Sequence, residues 1–226
     1  MSNAAVSELA WGTLGTPVGE MSVGCSAAGL AQVRFGPPPA RVVNGVTGTR
    51  ARAVSAGDSA RREEAYGEPG GVHREPGAHG EPGAGGEPGG ARRQLDEACT
   101  QLGEYFAGRR RSFELAVDWS GMSASQRQVL PVLLASAGYG ETVTYGELAR
   151  AAGLADGGKV PAARVTGQIM GSNPCPIVVP CHRVVAGDGL GGYSGGAGIE
   201  IKRWLLIFEG ALPPTLDWDP AGPGGI

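Results

Sequence analysis

Between residues 37 and 92 the chain has little with which to build a core. Glu-Pro-Gly recurs at positions 68, 75, 81 and 87, inside the run GEPGGVHREPGAHGEPGAGGEPGG. Proline and glycine at this density interrupt helix and strand alike, and almost no apolar side chain is present to bury. The glycines keep no strict three-residue period, which excludes a collagen-like helix. The segment reads as a disordered insertion, and it divides the 226-residue chain into two parts that can fold.

The first part, residues 9–35, reads LAWGTLGTPVGEMSVGCSAAGLAQVRF. Short strand-forming runs are broken by turn signals at Thr16–Gly19 and Ser26–Gly29, which predicts a small antiparallel meander. Order resumes near Ala91. Leu95, Cys99, Leu102 and Phe106 are spaced by three and four, the mark of one buried helix face, and Cys99 reads as a core residue. SFELAVDW alternates Phe113, Leu115, Val117 and Trp119, the pattern of a half-buried strand. A helix follows Ser123, with Pro131 inside it expected to cost a hydrogen bond and to kink it.

Thr144-Tyr-Gly-Glu147 is a capping-box pattern opening the helix TYGELARAAG, with Gly153 as its stop. Pro161 suits the first position of a second helix, PAARVTGQIM, with Gly171 just past its end. Two short helices joined by a glycine-containing loop suggest a helix-turn-helix. The small residues Ala162 and Ala163 would let the second helix approach another surface closely, or simply pack against a neighbouring helix. Ile177–Val179 reads as a short buried strand, with Cys181 just past its end. A last helix, GIEIKRWLLIFEG, turns Ile201, Trp204, Leu205 and Phe208 inward. Its Glu209 faces the negative end of the helix dipole, so it is either a plain surface acid or has a partner such as a histidine. The tail from Pro213 reads as loose.

The net charge of −3 argues against broad non-specific nucleic-acid binding, so any DNA contact must be local. There is no signal-peptide pattern and no apolar run near about 18 residues, which predicts a soluble cytoplasmic protein with no membrane contact. The four cysteines, Cys25, Cys99, Cys175 and Cys181, lack a disulfide-framework spacing and are expected to be free thiols.

Cys181 stands in PIVVPCHRVV, beside His182. A zinc site needs three or four ligands. Only His182 and Cys175 are near, and the other histidines, His73 and His79, fall in the insertion. A nucleophile needs a base or a positive charge to lower its thiol pKa. Neighbours on a strand point to opposite faces, but a turn beginning at Pro180 would let Cys181 and His182 meet through a water, with Glu209 as a candidate orienting acid. An ordinary strand end remains the competing reading.

PCHRVV, preceded by GSNPCPIVV and followed by GGYSGG, resembles the O6-alkylguanine-DNA alkyltransferases, also called methylated-DNA–protein-cysteine methyltransferases. The likeness extends through YGETVTYGELA, AARVTGQIMGSNP and WLLIFEG. It covers about residues 92–212 densely and 9–35 more weakly. It implies an α+β fold: a small N-terminal α/β domain with antiparallel strands, plus a mainly helical C-terminal domain containing a helix-turn-helix. The divisions follow as strands in 1–36, the insertion at 37–92, a helix and strand in 93–120, the DNA-binding and alkyl-acceptor domain in 121–212, and a tail at 213–226.

By the same resemblance, Cys181 takes the alkyl group from guanine O6 in double-stranded DNA, once per molecule, without cofactor or metal. Thymine O4 is a possible second donor. Glu209 orients His182, and His182 draws the thiol proton through a water. Asn173 braces the turn, and Tyr145 donates its hydroxyl to the base. The second helix enters the minor groove with Ala163 and Thr166, Arg164 fills the gap left by the flipped base, and Tyr193, Ser194, Val184 and Met170 shape the pocket. A monomer acting at the nucleoid is implied.

The chain departs from the family pattern in its insertion, in Ser125-Gln126 where an aromatic-Gln pair is usual, in Leu130 where tryptophan is usual, and in Pro131. Cys25 falls near a zinc ligand of some members, but its partners are not evident. Cys175 is an extra thiol, read as packed and able to form a disulfide with Cys181 only if geometry allows. The rival readings are a recognition protein without repair, which Cys181, His182 and Glu209 argue against; a helix-turn-helix regulator, which would carry more base-reading residues on its second helix; and a cysteine hydrolase, for which no oxyanion hole is marked.

Overall fold

The computed structural model describes residues 9–39, 89–155, 160–193 and 198–223. Most of the insertion, and Ser194, lie outside the described residues.

The meander forms where the turn signals place it. Strands β1 (Ala10–Thr16), β2 (Gly19–Ser26) and β3 (Gly29–Phe35) pair antiparallel in the order β1-β2-β3. A register shift at Gly24/Cys25 bends β2 against β3. Helix α1 (Gly90–Phe106) packs across the sheet, burying Leu95, Ala98, Leu102 and Tyr105. Ala98 takes the fully inward position, which leaves Cys99 only half-buried against the core it was expected to join.

The segment SFELAVDW is not a strand. It makes one bridge, Leu30 to Val117, with Leu30 N–H donating to Ala116 O and Asp118 N–H to Leu30 O, both at 2.8 Å. The ladder stops there because side chains take other backbone groups: Glu114 N–H donates to Gln101 Oε1 at 2.8 Å. Gly29 admits the segment, since a Cβ there would collide with the Ala116 carbonyl and its φ of +140° is open to glycine.

Helix α2 (Ala124–Ser136) opens on a capping box between Ser123 and Gln126 and runs through Pro131. Two-residue strand β4 (Val143–Thr144) leads into α3 (Tyr145–Ala151), capped reciprocally by Thr144 and Glu147. Helix α4 (Ala162–Gly171) starts after Pro161 and packs on α3. Strand β5 (Val184–Val185) pairs parallel with β4. Helix α5 (Ile199–Phe208) buries Ile201, Trp204 and Leu205, while Phe208 is half-buried and stacks on Trp204 at 5.0 Å.

The tail is not loose over its described residues. Trp218 stacks on Trp204 at 6.3 Å, and Trp204 Nε1 donates to Asp219 O at 2.7 Å. No helix among the described residues is long and apolar enough to cross a membrane.

Candidate active site

Cys181 is placed by a folded turn, not by a strand. Pro174, Pro176 and Pro180 lack N–H groups, so the β-branched run between them has too few donors for a ladder. Val179 N–H donates to Cys175 O and Cys181 N–H to Val179 O, both at 2.8 Å. Asn173 closes the turn from inside: its Nδ2 donates to Val179 O at 2.8 Å and its Oδ1 accepts from Cys175 N–H at 3.1 Å. Ile177 holds φ at 74°, a left-handed conformation rare for a β-branched residue, with its side chain fully buried.

Pro180 then caps a 3-10 turn, Cys181–Arg183. With about three residues per turn, successive side chains spread around the axis. Cys181 borders a cavity, while His182 and Arg183 reach Glu209.

Glu209 therefore has partners. His182 Nε2 lies 2.9 Å from its Oε1, and Arg183 Nε donates to Oε2 at 2.8 Å and Nη2 to Oε1 at 2.9 Å. Tyr105 Oη, from α1, donates to Oε1 at 2.6 Å. Burial alone would raise this carboxyl; His182 and Arg183 outweigh it and hold it well below the usual carboxylate range. The ion pair also offsets the unfavourable helix terminus. Burial lowers His182, against the pull of Glu209, so its resting form is neutral. With Nε2–H given to Glu209, Nδ1 is the acceptor, and it has no hydrogen-bond partner among the described residues.

Burial raises the Cys181 thiol, while Asn173, Lys202 and Tyr193 pull it back. The Lys202 side chain is buried, and its Nζ donates to Val184 O at 2.6 Å and Gly192 O at 3.1 Å. Burial brings its ammonium down to about 8, against the opposing charge of Cys181. The Tyr193 hydroxyl is buried beside the Cys181 sulfur.

The cavity has a volume of about 460 Å³. Cys181, Met170, Tyr145 and Tyr193 line one part, and Ala163, Arg164 and Gln168 of α4 its rim. Tyr145 Oη donates to Gly192 O at 3.1 Å, and burial raises its phenol, with Cys181 adding to the effect. Gly191, at φ +69°, lets the loop pass against Tyr145, where a Cβ would come within 2.8 Å of the ring.

Most of the sequence-derived set converges here, with two corrections. Thr166 is fully buried and its hydroxyl donates to Ala162 O at 3.0 Å, so it faces the core of the domain and not a groove. Val184 is also fully buried; it does not line the cavity but contributes its carbonyl to Lys202. Ala162 is buried too, so of the two alanines only Ala163 lines the cavity. Cys175 packs with its sulfur 3.9 Å from Leu30 O, and the four cysteines are free.

Sequence reasoning missed Arg183, Lys202 and Tyr105. Lys202 carried a usable signal, a charged residue between Ile201 and Trp204 on an apolar helix face. Arg183 is adjacent to His182, but only the turn geometry aims both at one carboxylate.

The profile of the 6-O-methylguanine DNA methyltransferase, DNA binding domain, matches residues 124–211. Over 84 residues the chain is 50% identical to the methylated-DNA–protein-cysteine methyltransferase of Mus musculus, a match spanning 37% of each chain. Over 119 residues it is 46% identical to that of Mycolicibacterium paratuberculosis, covering 52% of this chain and 67% of the relative. The chain thus spans under half the length of the mouse relative and two thirds of the mycobacterial one. Its fold is similar to that of Mycobacterium tuberculosis OGT in complex with DNA, with TM-score 0.59, 28% identity, and coverage of 89% of this chain and 92% of that one. With the cysteine, its histidine and the buried carboxylate in one site, the chain belongs to the methylated-DNA–protein-cysteine methyltransferase family.

Proposed function

We propose that this protein reverses O6-alkylguanine damage in double-stranded DNA by moving the alkyl group irreversibly to Cys181. The observation that carries this reading is a thiol at a base-sized cavity, backed by the buried His182–Glu209 pair. A pocket of about 300–1,000 Å³ suits a small organic group, and a flipped purine falls in that class.

The α3–α4 pair acts as the helix-turn-helix, with α4 against the minor groove. Ala163 permits close approach, and exposed Arg164 occupies the space the guanine vacates. Extrusion costs a few kcal/mol, which such a contact partly offsets. Neutral His182 accepts the Cys181 proton at Nδ1 through a bridging water, and Glu209 holds the resulting imidazolium. The sulfur attacks the alkyl carbon, the new S–C bond forms, and the C–O6 bond breaks with its electron pair going to guanine. Tyr145, kept protonated by burial, turns its hydroxyl from Gly192 O to the base and gives up its proton as the C–O6 bond breaks, so that guanine leaves neutral and the tyrosinate is reprotonated from solvent. Asn173 and the Tyr193 loop hold the sulfur and the base in line. A thioether has no easily broken bond to return, so each molecule acts once, as a monomer. Thymine O4 presents the same alkyl–oxygen bond as a second substrate.

The test is intact-protein mass after incubation with an oligonucleotide bearing one O6-methylguanine. One added methyl on the Cys181 peptide, saturating at one per protein and absent in Cys181→Ala, is expected. Selective binding to the lesion duplex without a mass change would mark a recognition protein instead.

A further inference from the structure

Tyr105 belongs to α1, in the N-terminal part of the molecule, yet its hydroxyl lies on the carboxylate that orients His182. Oε1 of Glu209 accepts from Tyr105 at 2.6 Å, from Arg183 Nη2 at 2.9 Å, and lies 2.9 Å from His182 Nε2. The tyrosine side chain is fully buried and packed against the rings of Phe106, Phe113, Tyr139 and Phe208, with centroids 5.1 to 6.2 Å away. This ring cage fixes where the hydroxyl points. A phenylalanine would satisfy the cage equally well, so packing does not explain the hydroxyl.

We infer that Tyr105 is a positioning residue for alkyl transfer, through which the N-terminal unit sets how Glu209 holds His182. The inference rests on the reading of His182 as the base for Cys181. Donors on one carboxylate oxygen compete for the same charge. With Tyr105 donating, part of the Glu209 charge is committed to α1, and Oε1 is pinned between three groups. Without that donor, more of the charge acts on His182, the imidazolium is favoured, and the oxygen is less restrained. The groups facing Glu209 are Tyr105 from α1, Tyr139 from the segment after α2, and His182 and Arg183 from the 3-10 turn. Facing His182 are Glu209, Arg183 and Lys202.

The test replaces Tyr105→Phe, which keeps the ring, and follows alkylation of Cys181 by iodoacetamide, peptide-mapped across about pH 5–8. The acid limb of reactivity is expected to move to higher pH by about half a unit, since His182 then stays protonated further up the scale. The same substitution in a Glu209→Gln background should produce no shift, because the charge being shared is gone. An unmoved limb in Tyr105→Phe, or an equal shift in both backgrounds, would reduce Tyr105 to a packing residue. Should Tyr105→Phe not fold, 3-fluorotyrosine at position 105 replaces it: a stronger donor must move the limb to lower pH, and no movement refutes the inference. Iodoacetamide requires no DNA, so this outcome is independent of whether Cys181 accepts an alkyl group from a lesion.

Discussion

Around the sheet and α1, the buried side chains are mostly apolar, among them Leu14, Met21, Val23, Leu95 and Leu102; around Cys181 they include His182, Arg183, Lys202 and Glu209. The first region is held by apolar contact, which is non-directional and tolerates small shifts. The second is held by charge-assisted hydrogen bonds, which fail when any one member is removed. Stability and chemistry should therefore respond to different substitutions, and the two regions meet at Tyr105 and at the seam where Val33 N–H donates to Pro174 O at 2.8 Å.

The largest expected effect is on chemistry alone. His182→Gln should slow single-turnover transfer by about 100-fold or more, since a general base contributes about 10²–10⁴; rapid-quench kinetics on the methylated duplex reads it. A rate near wild type would remove His182 from the mechanism.

Next comes Arg183→Met, which strands the Glu209 carboxylate. Urea unfolding should show a loss of about 3–5 kcal/mol. The carboxyl is held below its ordinary value of 4.5 in the fold, so its stabilisation is present above that value and lost as pH falls toward the lower one. Without Arg183 that loss should begin at higher pH, which melting temperatures across an acid series would detect.

Leu102→Ala in α1 should cost about 2–5 kcal/mol by opening a cavity. Transfer by the fraction that remains folded should keep its rate. A slowed rate at full folding would break the separation between the regions and show that strain in α1 reaches Glu209 through Tyr105. The smallest effect belongs to Ser123→Ala, a lost helix cap worth about 1 kcal/mol in denaturant midpoint, with no kinetic consequence.

What could be read from the sequence follows from how local each signal is. The capping box at Thr144, the helix start after Ser123 and the turns of the meander are set by residues within four positions, and they form as expected. Cys181 and His182 were legible because cysteine and histidine are scarce in this chain, Glu209 because it stands unfavourably at a helix C-terminus, and all three because PCHRVV and WLLIFEG resemble a known family. Tyr105 was not, because its partner lies 104 residues away and nothing local distinguishes its hydroxyl from any other. Thr166 misled because the resemblance places it at the groove, whereas the helical period turns it inward. The run at Ile177–Val179 misled because β-branched residues suggest a strand, while the flanking prolines withhold the donors that a strand requires.

The left-handed backbone at Ile177 bears on how variants of this protein should be selected. Such strain costs about 1–3 kcal/mol. Burying an isoleucine side chain returns about 1.5–3 kcal/mol. Ile177→Gly relieves the strain, but it gives up a fully buried side chain and leaves a cavity, a loss of about 2–5 kcal/mol before the added chain entropy of glycine. A library ranked by heat resistance would therefore retain the isoleucine, and with it the strained turn that precedes the reactive sulfur. Selection for heat resistance and selection for an aligned thiol favour the same residue here, so a strained backbone does not mark a position to be improved.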